Sequence, residues 1–201
     1  MLRVISNYSI SNERLENISN MNMTVVSIYI CYCLYYQVDC LFMYNLLYVY
    51  ILFDFLFIPF HRKDTILHHI LVWLMFQYNS IYNIPVDNFS FPVIQLFKTE
   101  VSSVFLGTSY FLKKYKANLL ICNASNMLFV STFFYYRIYN FFFNVVYNPY
   151  FYQSITTSNT TLQNYYKYML TYSLFGLNVF WSTRIISLVL KKKNAQAKQL
   201  D

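Results

Sequence analysis

The sequence predicts an all-α membrane protein, a bundle of about six transmembrane helices, on three observations. The chain is 57% apolar and 22% aromatic but only 11% charged, against roughly 25% charged in an ordinary soluble domain. It holds only two glycines and four prolines, too few turn formers for an architecture of many short strands. Its apolar residues gather into stretches near the roughly 20 residues that a helical crossing requires, with polar connections between them.

The first span is expected from about Ile18 to Tyr36 and the second from about Leu41 to Ile58, with Gln37, Val38, Asp39 and Cys40 as the turn. Pro59 closes the second span, because proline has no amide hydrogen for the helical ladder. The third runs from Thr65 to about Asn83, and Pro85 and Pro92 bracket the loop after it. The fourth covers roughly Val93 to Leu112. The fifth, Asn118 to about Asn144, is long enough to tilt in a bilayer. The sixth covers about Tyr166 to Leu190. The first twenty residues are polar and mixed, without a basic start ahead of an apolar core, so no cleavable signal peptide is expected.

Orientation follows from counting Lys and Arg in the short connections. The N-terminal segment has Arg3 and Arg14, the second connection Arg62 and Lys63, the fourth Lys113, Lys114 and Lys116, and the tail Lys191, Lys192, Lys193 and Lys198. The connections Gln37 to Cys40, Ile84 to Pro92 and Val145 to Tyr165 have none. Basic and neutral connections alternate, as an even number of spans with both termini cytosolic requires. The sequons at Asn88 and Asn159 fall on the side this assigns to the lumen. A net charge of +7 scattered in these small groups describes membrane orientation, and no nucleic-acid partner is expected. Cys31, Cys33, Cys40 and Cys122 all lie in apolar stretches without zinc-like spacing, which fits small packing residues.

Each ionisable group inside a span needs a partner or water. Asp54 lies near the cytosolic end of the second span, and His68 and His69 lie one turn into the third, so the hairpin can bring them together. Arg184 is at similar depth in the sixth span. Lys98, Glu100 and Arg137 form a second group toward the lumen, and Glu100 with Arg137 reads most simply as a structural ion pair between adjacent helices. A carboxylate beside two imidazoles can accept and return protons near neutral pH, and satisfied polar packing is the competing reading. Neighbouring helical residues point about 100° apart, so one histidine is left for orientation. His61, Asp64 and His68 are spaced for one helix face, but Pro59 and the hydrated loop disfavour that helix and no fourth ligand is evident. No metal or other cofactor is expected.

These residues also carry a resemblance. The run from Asp54 through Lys63-Asp64-Thr65-Ile66-Leu67-His68-His69 is similar to the centre of the TLC domain. Glu100-Val101-Ser102-Ser103 resembles the Glu-x-Ser segment of its branches outside the ceramide synthases, and Phe133-Phe134-Tyr135-Tyr136-Arg137-Ile138 their Phe-x-x-x-Arg-Ile helix. Leu177-Asn178-Val179-Phe180-Trp181 with Ile185 resembles the closing Leu-Gln-x-x-Trp helix, with Asn178 in place of glutamine. The resemblance covers about residues 14–190, leaving residues 1–13 as a polar N-terminal segment and 191–201 as a basic cytosolic tail. It implies a multi-span protein of an endoplasmic-reticulum-type membrane. The downstream His-Asp-x-x-Asp of ceramide synthases has no counterpart, so the likeness is to the lipid-homeostasis branches.

Two functions are expected from this. In the first, the bundle binds or regulates an acyl-chain lipid or sphingolipid, with Asp54, His68, His69 and Arg184 around its head. In the second, the chain is an acyltransferase of ceramide-synthase type whose partners include an acyl-CoA. There His68 or His69 would be the catalytic base or acyl acceptor, and Asp54 would hold the imidazole tautomer.

Overall fold

The first helix starts where a serine can cap it. In the computed structural model, which describes residues 11–38, 40–59, 61–81, 90–149 and 161–197, the Ser11 hydroxyl accepts from the Arg14 amide at 3.4 Å. That cap satisfies one of the free amides of the first turn, and helix α1 runs over Asn12–Tyr35, six residues longer at its start than the apolar stretch alone suggests. Gln37, with φ of 53°, ends it in the left-handed region. Helix α2 covers Cys40–Asp54 and α3 covers Lys63–Ile81. The second span ends earlier than expected: after Asp54 the chain turns through Phe55, Leu56 and Phe57 before reaching Pro59.

The fourth pass is broken, which the sequence reading did not anticipate. Helix α4 (Ser90–Lys98) and helix α5 (Glu100–Lys114) meet at Thr99. The Thr99 hydroxyl donates to the Leu96 carbonyl at 2.6 Å, and the Ser102 hydroxyl donates to the Thr99 carbonyl at 2.8 Å. The same two carbonyls also accept the Thr99 and Ser102 amides, at 3.0 and 3.3 Å, so the backbone ladder tightens to a three-residue step at this joint. Asn118 caps helix α6 (Leu119–Phe133) by accepting from the Leu120 amide at 2.8 Å. The helix continues through two π-helical stretches, Phe134–Asn140 and Phe142–Val146. Helix α7 runs over Thr161–Ala197.

The predicted fold class stands: among the described residues the chain is all-helical, six passes with the fourth in two pieces. Two stretches, Leu119–Val146 and Asn164–Lys191, are long and apolar enough to cross a bilayer, and Leu41–Asp54 is a shorter apolar helix. The side-chain distribution is that of a membrane protein. Leu120, Ile121, Met127 and Leu128 on α6, and Met169, Phe180, Leu188 and Val189 on α7, are exposed, while Ser27, Asp54, Ser102, Ser103, Arg137 and Asn178 are buried. Water would favour the reverse, whereas a bilayer solvates the apolar face and sends polar groups inward.

The passes close into a ring. Helix α1 packs on α2 and α5, α2 on α3, α3 on α7, α7 on the π-helical part of α6, and α6 on α5, with α4 touching α1, α2 and α5. Small and polar side chains make the close approaches. Gly107 of α5 lies so near α1 that an added Cβ would collide with Thr24 Oγ1. Ser109 and Ser125 join α5 to α6 at 2.8 Å, and the Tyr110 hydroxyl donates to Asn17 of α1 at 2.7 Å. The turn at Asp39, the loop holding Pro85 and Asn88, Asn159, residues 1–10 and the last four residues of the tail lie outside the described residues.

Candidate functional site

The ring encloses a cavity of ≈ 480 Å³, within the roughly 300–1,000 Å³ of ordinary ligand sites. Its lining changes character along the helices. On α3 it passes from Thr65, His68 and His69 to Val72, Met75 and Phe76, and on the antiparallel α2 from Tyr50 and Ile51 back to Tyr44. Phe97 and Phe141 line its apolar part, and Arg62, Asp64 and Arg184 its polar end.

The first polar wall comes from the α2–α3 hairpin. Asp54 is the last residue of α2 and His69 lies in the second turn of α3, and both are buried. Asp54 Oδ2 lies 3.1 Å from His69 Nε2, at ion-pair distance though off a straight hydrogen-bond line, and it accepts from the Ser19 hydroxyl at 3.2 Å. The other ring nitrogen, Nδ1, lies 3.0 Å from the Thr65 carbonyl oxygen. A carbonyl oxygen only accepts, so Nδ1 carries a hydrogen. Nε2 faces the carboxylate, so both ring nitrogens of His69 are turned to protein groups. His69 keeps no lone pair for a ligand. Asp54 stands behind it and does not reach the cavity surface.

His68 points elsewhere. Its ring lies 5.3 Å from that of Trp181 on α7 and 5.7 Å from that of His69. It makes no hydrogen bond with a described residue and lines the cavity. Trp181 in turn donates its indole N–H to Asp64 Oδ2 at 3.0 Å, and Arg184 Nη1 meets the same oxygen at 3.1 Å. Arg184, with its side chain 61% exposed, stands at the mouth.

The second wall comes from α5 and α6. Arg137, in the first π-helical stretch, is 7% exposed. Its Nε donates to Ser102 at 2.8 Å and its Nη2 to Ser103 at 2.9 Å. Its guanidinium carbon sits 5.8 Å from the Phe133 ring centre and 5.7 Å from that of Trp181. Glu100 Oε1 is 3.8 Å away, and Oε2 accepts from Ser27 of α1 at 3.1 Å.

The sequence reading sorts Asp54, His68, His69 and Arg184 into one group and Glu100 and Arg137 into another, deeper one. The structure corrects that separation: His68, His69, Glu100, Arg137 and Arg184 all line one cavity. Depth was counted along single helices, while the α3–α7–α6 contacts carry both walls to one space. His61, Asp64 and His68 do not share a helix face, because α3 begins at Lys63. Several contributors were not singled out as site residues. Trp181 bridges the two walls, Ser102 and Ser103 bind Arg137, Ser19 bonds Asp54, and Arg62 lines the mouth. Hydroxyls inside an otherwise apolar span were the available signal for the serines.

A family model described as the TLC domain matches residues 2–187. No curated protein and no solved structure matches the chain. The match spans nearly the whole sequence and all six helical passes, and the chain belongs to the TLC-domain family of membrane proteins.

Proposed function

We propose that this chain holds an acyl-chain lipid inside its helix bundle, with the head beside His68 and Arg184 and the tail along the apolar lining. The observation that carries the reading is the gradient along α3, from His68 and His69 to Val72, Met75 and Phe76 on one cavity wall. A molecule with a polar head and a long tail satisfies both ends, and the family membership supports a lipid-related role. Purification of the full chain in mild detergent, followed by mass spectrometry of co-purifying lipid, tests it. An acyl-chain lipid should be retained, and His68→Ala should weaken retention by about 1–3 kcal/mol, the scale of an unmet buried polar group. Recovery of no lipid, from wild type in particular, overturns the proposal.

A second reading, acyl transfer from an acyl-CoA to a lipid acceptor, is favoured by one observation: His68 faces the cavity with its ring nitrogens unbonded to described residues. In that role His68 would take the proton of the acceptor's amine or hydroxyl as it attacks the thioester carbonyl and return it to the departing coenzyme A thiolate, and the Asp54–His69 couple would hold the α2–α3 hairpin in place. Turnover lost in His68→Ala, with lipid retention kept, supports it; no turnover with any acyl-CoA and acceptor leaves binding alone.

We further place both termini and Lys114 on the cytosolic side of an endoplasmic-reticulum-type membrane, supported by the alternation of basic connections. Glycosylation mapping should then reach sites near Asn88 and Asn159, and a tail on the face opposite Lys114 would overturn the span count.

A further inference from the structure

Among the described residues, the buried cation Arg137 is incompletely hydrogen-bonded. Arg137 spends Nε and Nη2 on two neutral serine hydroxyls, and its Nη1 makes no hydrogen bond with a described residue. Its carboxylate neighbour does not close the gap. Glu100 Oε1 stops 3.8 Å from Nη2, and Oε2 is held toward α1 by Ser27. A guanidinium cannot shed its charge and presents its N–H groups in a fixed fork suited to oxyanions. Here the unused edge belongs to a side chain that lines the cavity and is itself 7% exposed.

The charge balance points the same way. Among the described residues three cations line the cavity, Arg62, Arg137 and Arg184, against two carboxylates, Asp64 and Glu100. Asp54 stands behind His69, outside the lining. Asp64 is already committed to Trp181 and Arg184. One positive charge remains over, in a space where charges interact more strongly than in water.

We propose that the lipid head this cavity takes is an oxyanion on a single long chain, a carboxylate or a phosphate monoester, received by the free edge of Arg137 with His68 beside it. This rests on the lipid-holding reading and narrows it: a sphingoid base, whose head is an ammonium, is the wrong sign for the site. Glu100 repels such a head less than its position suggests, because Ser27 holds the carboxylate toward α1.

Binding of four sixteen-carbon amphiphiles to the detergent-solubilised full chain, measured by equilibrium dialysis, tests the proposal. Hexadecanoate and hexadecyl phosphate should each bind about tenfold or more tighter than hexadecanol, the scale of a charge-assisted hydrogen bond, and hexadecylamine weakest. The order between the first two identifies carboxylate or phosphate as the source. The double variant Glu100→Gln/Arg137→Gln, which removes both charges together, should bind hexadecanoate and hexadecanol about equally. Should that variant fail to fold, the wild-type order alone decides. Hexadecanol or hexadecylamine binding as tightly as hexadecanoate overturns the oxyanion inference and leaves the lipid reading standing. Failure of all four to bind overturns both.

Discussion

The Asp54–His69 couple and the Glu100–Arg137 couple each bury a carboxylate against a nitrogen base inside the same bundle, and they are built in opposite ways. The first is the closer, with 3.1 Å between partners, Ser19 donating to Asp54 Oδ2 and His69 Nδ1 set against the Thr65 carbonyl, while Asp54 Oδ1 meets no donor. The second is open, with 3.8 Å between partners and the guanidinium bonded mainly to serines. The chemical difference is the base. An imidazole can give up its proton and need not stay charged in a low dielectric. A guanidinium has no such exit. Its charge must be met by surroundings, and that need is what leaves Arg137 available to a ligand. Titratable couples can therefore serve as scaffold, while a permanent buried cation is better suited to recognition.

The sharpest way to break this comparison is to remove the carboxylate from the open couple. Glu100→Gln strands Arg137 as a buried cation with only hydroxyls and rings around it. The change should cost about 3–5 kcal/mol of stability in a denaturation measurement on the detergent-solubilised protein. Combining it with Arg137→Gln should cost less than the sum of the two single changes, since the second removes the stranded charge. Strict additivity would mean that the two side chains do not interact, and the open couple would then be no couple at all.

How much of this was legible beforehand follows from the same physics. Apolar length gave the six passes, because a bilayer imposes the same requirement on each of them. The short connection through Pro59 gave the approach of Asp54 to the histidines, since a tight hairpin leaves few arrangements. The break at Thr99 was not legible from apolar counting, because a local change from four-residue to three-residue backbone bonds leaves the apolar pattern unchanged. The π-helical stretch that carries Arg137 was not legible either. Such turns are rare, and the run Phe134–Asn140 reads from its residues as ordinary apolar helix. Nor could a count along single spans show that both charged walls face one cavity, which is a property of ring closure.

The closer couple should respond in a graded way, and that response sharpens the contrast. Asp54→Ala removes the carboxylate and leaves His69 Nε2 and the Ser19 hydroxyl unmet. The imidazole can still go neutral with its Nδ1 hydrogen on the Thr65 carbonyl, so the loss should be about 1–3 kcal/mol, smaller than for Glu100→Gln. Asp54→Asn should cost less again, under about 1 kcal/mol, because an amide nitrogen standing where Oδ2 stands can donate one hydrogen to Nε2 and the other to Ser19 Oγ. A large loss in Asp54→Asn, matching that of Asp54→Ala, would show that the couple depends on a full negative charge and not on hydrogen bonding alone.

The smallest effect is expected at the mouth, where the comparison meets its control. Arg184 and Asp64 sit 3.1 Å apart, as close as Asp54 and His69, but with 61% and 28% of their side chains exposed. Exposed ion pairs contribute about 0–1 kcal/mol, because solvent screens them and the long side chain loses freedom on pairing. Arg184→Gln should therefore lower stability by no more than that, and added salt should shrink the difference further. Asp64 loses little, since Trp181 still donates to the same oxygen. If Arg184→Gln instead cost as much as Glu100→Gln, separation alone would not be at fault, because the mouth pair is the closer of the two. The ranking would then follow neither burial nor the ability of a base to shed its proton, and the distinction between scaffold and recognition couples would have no basis.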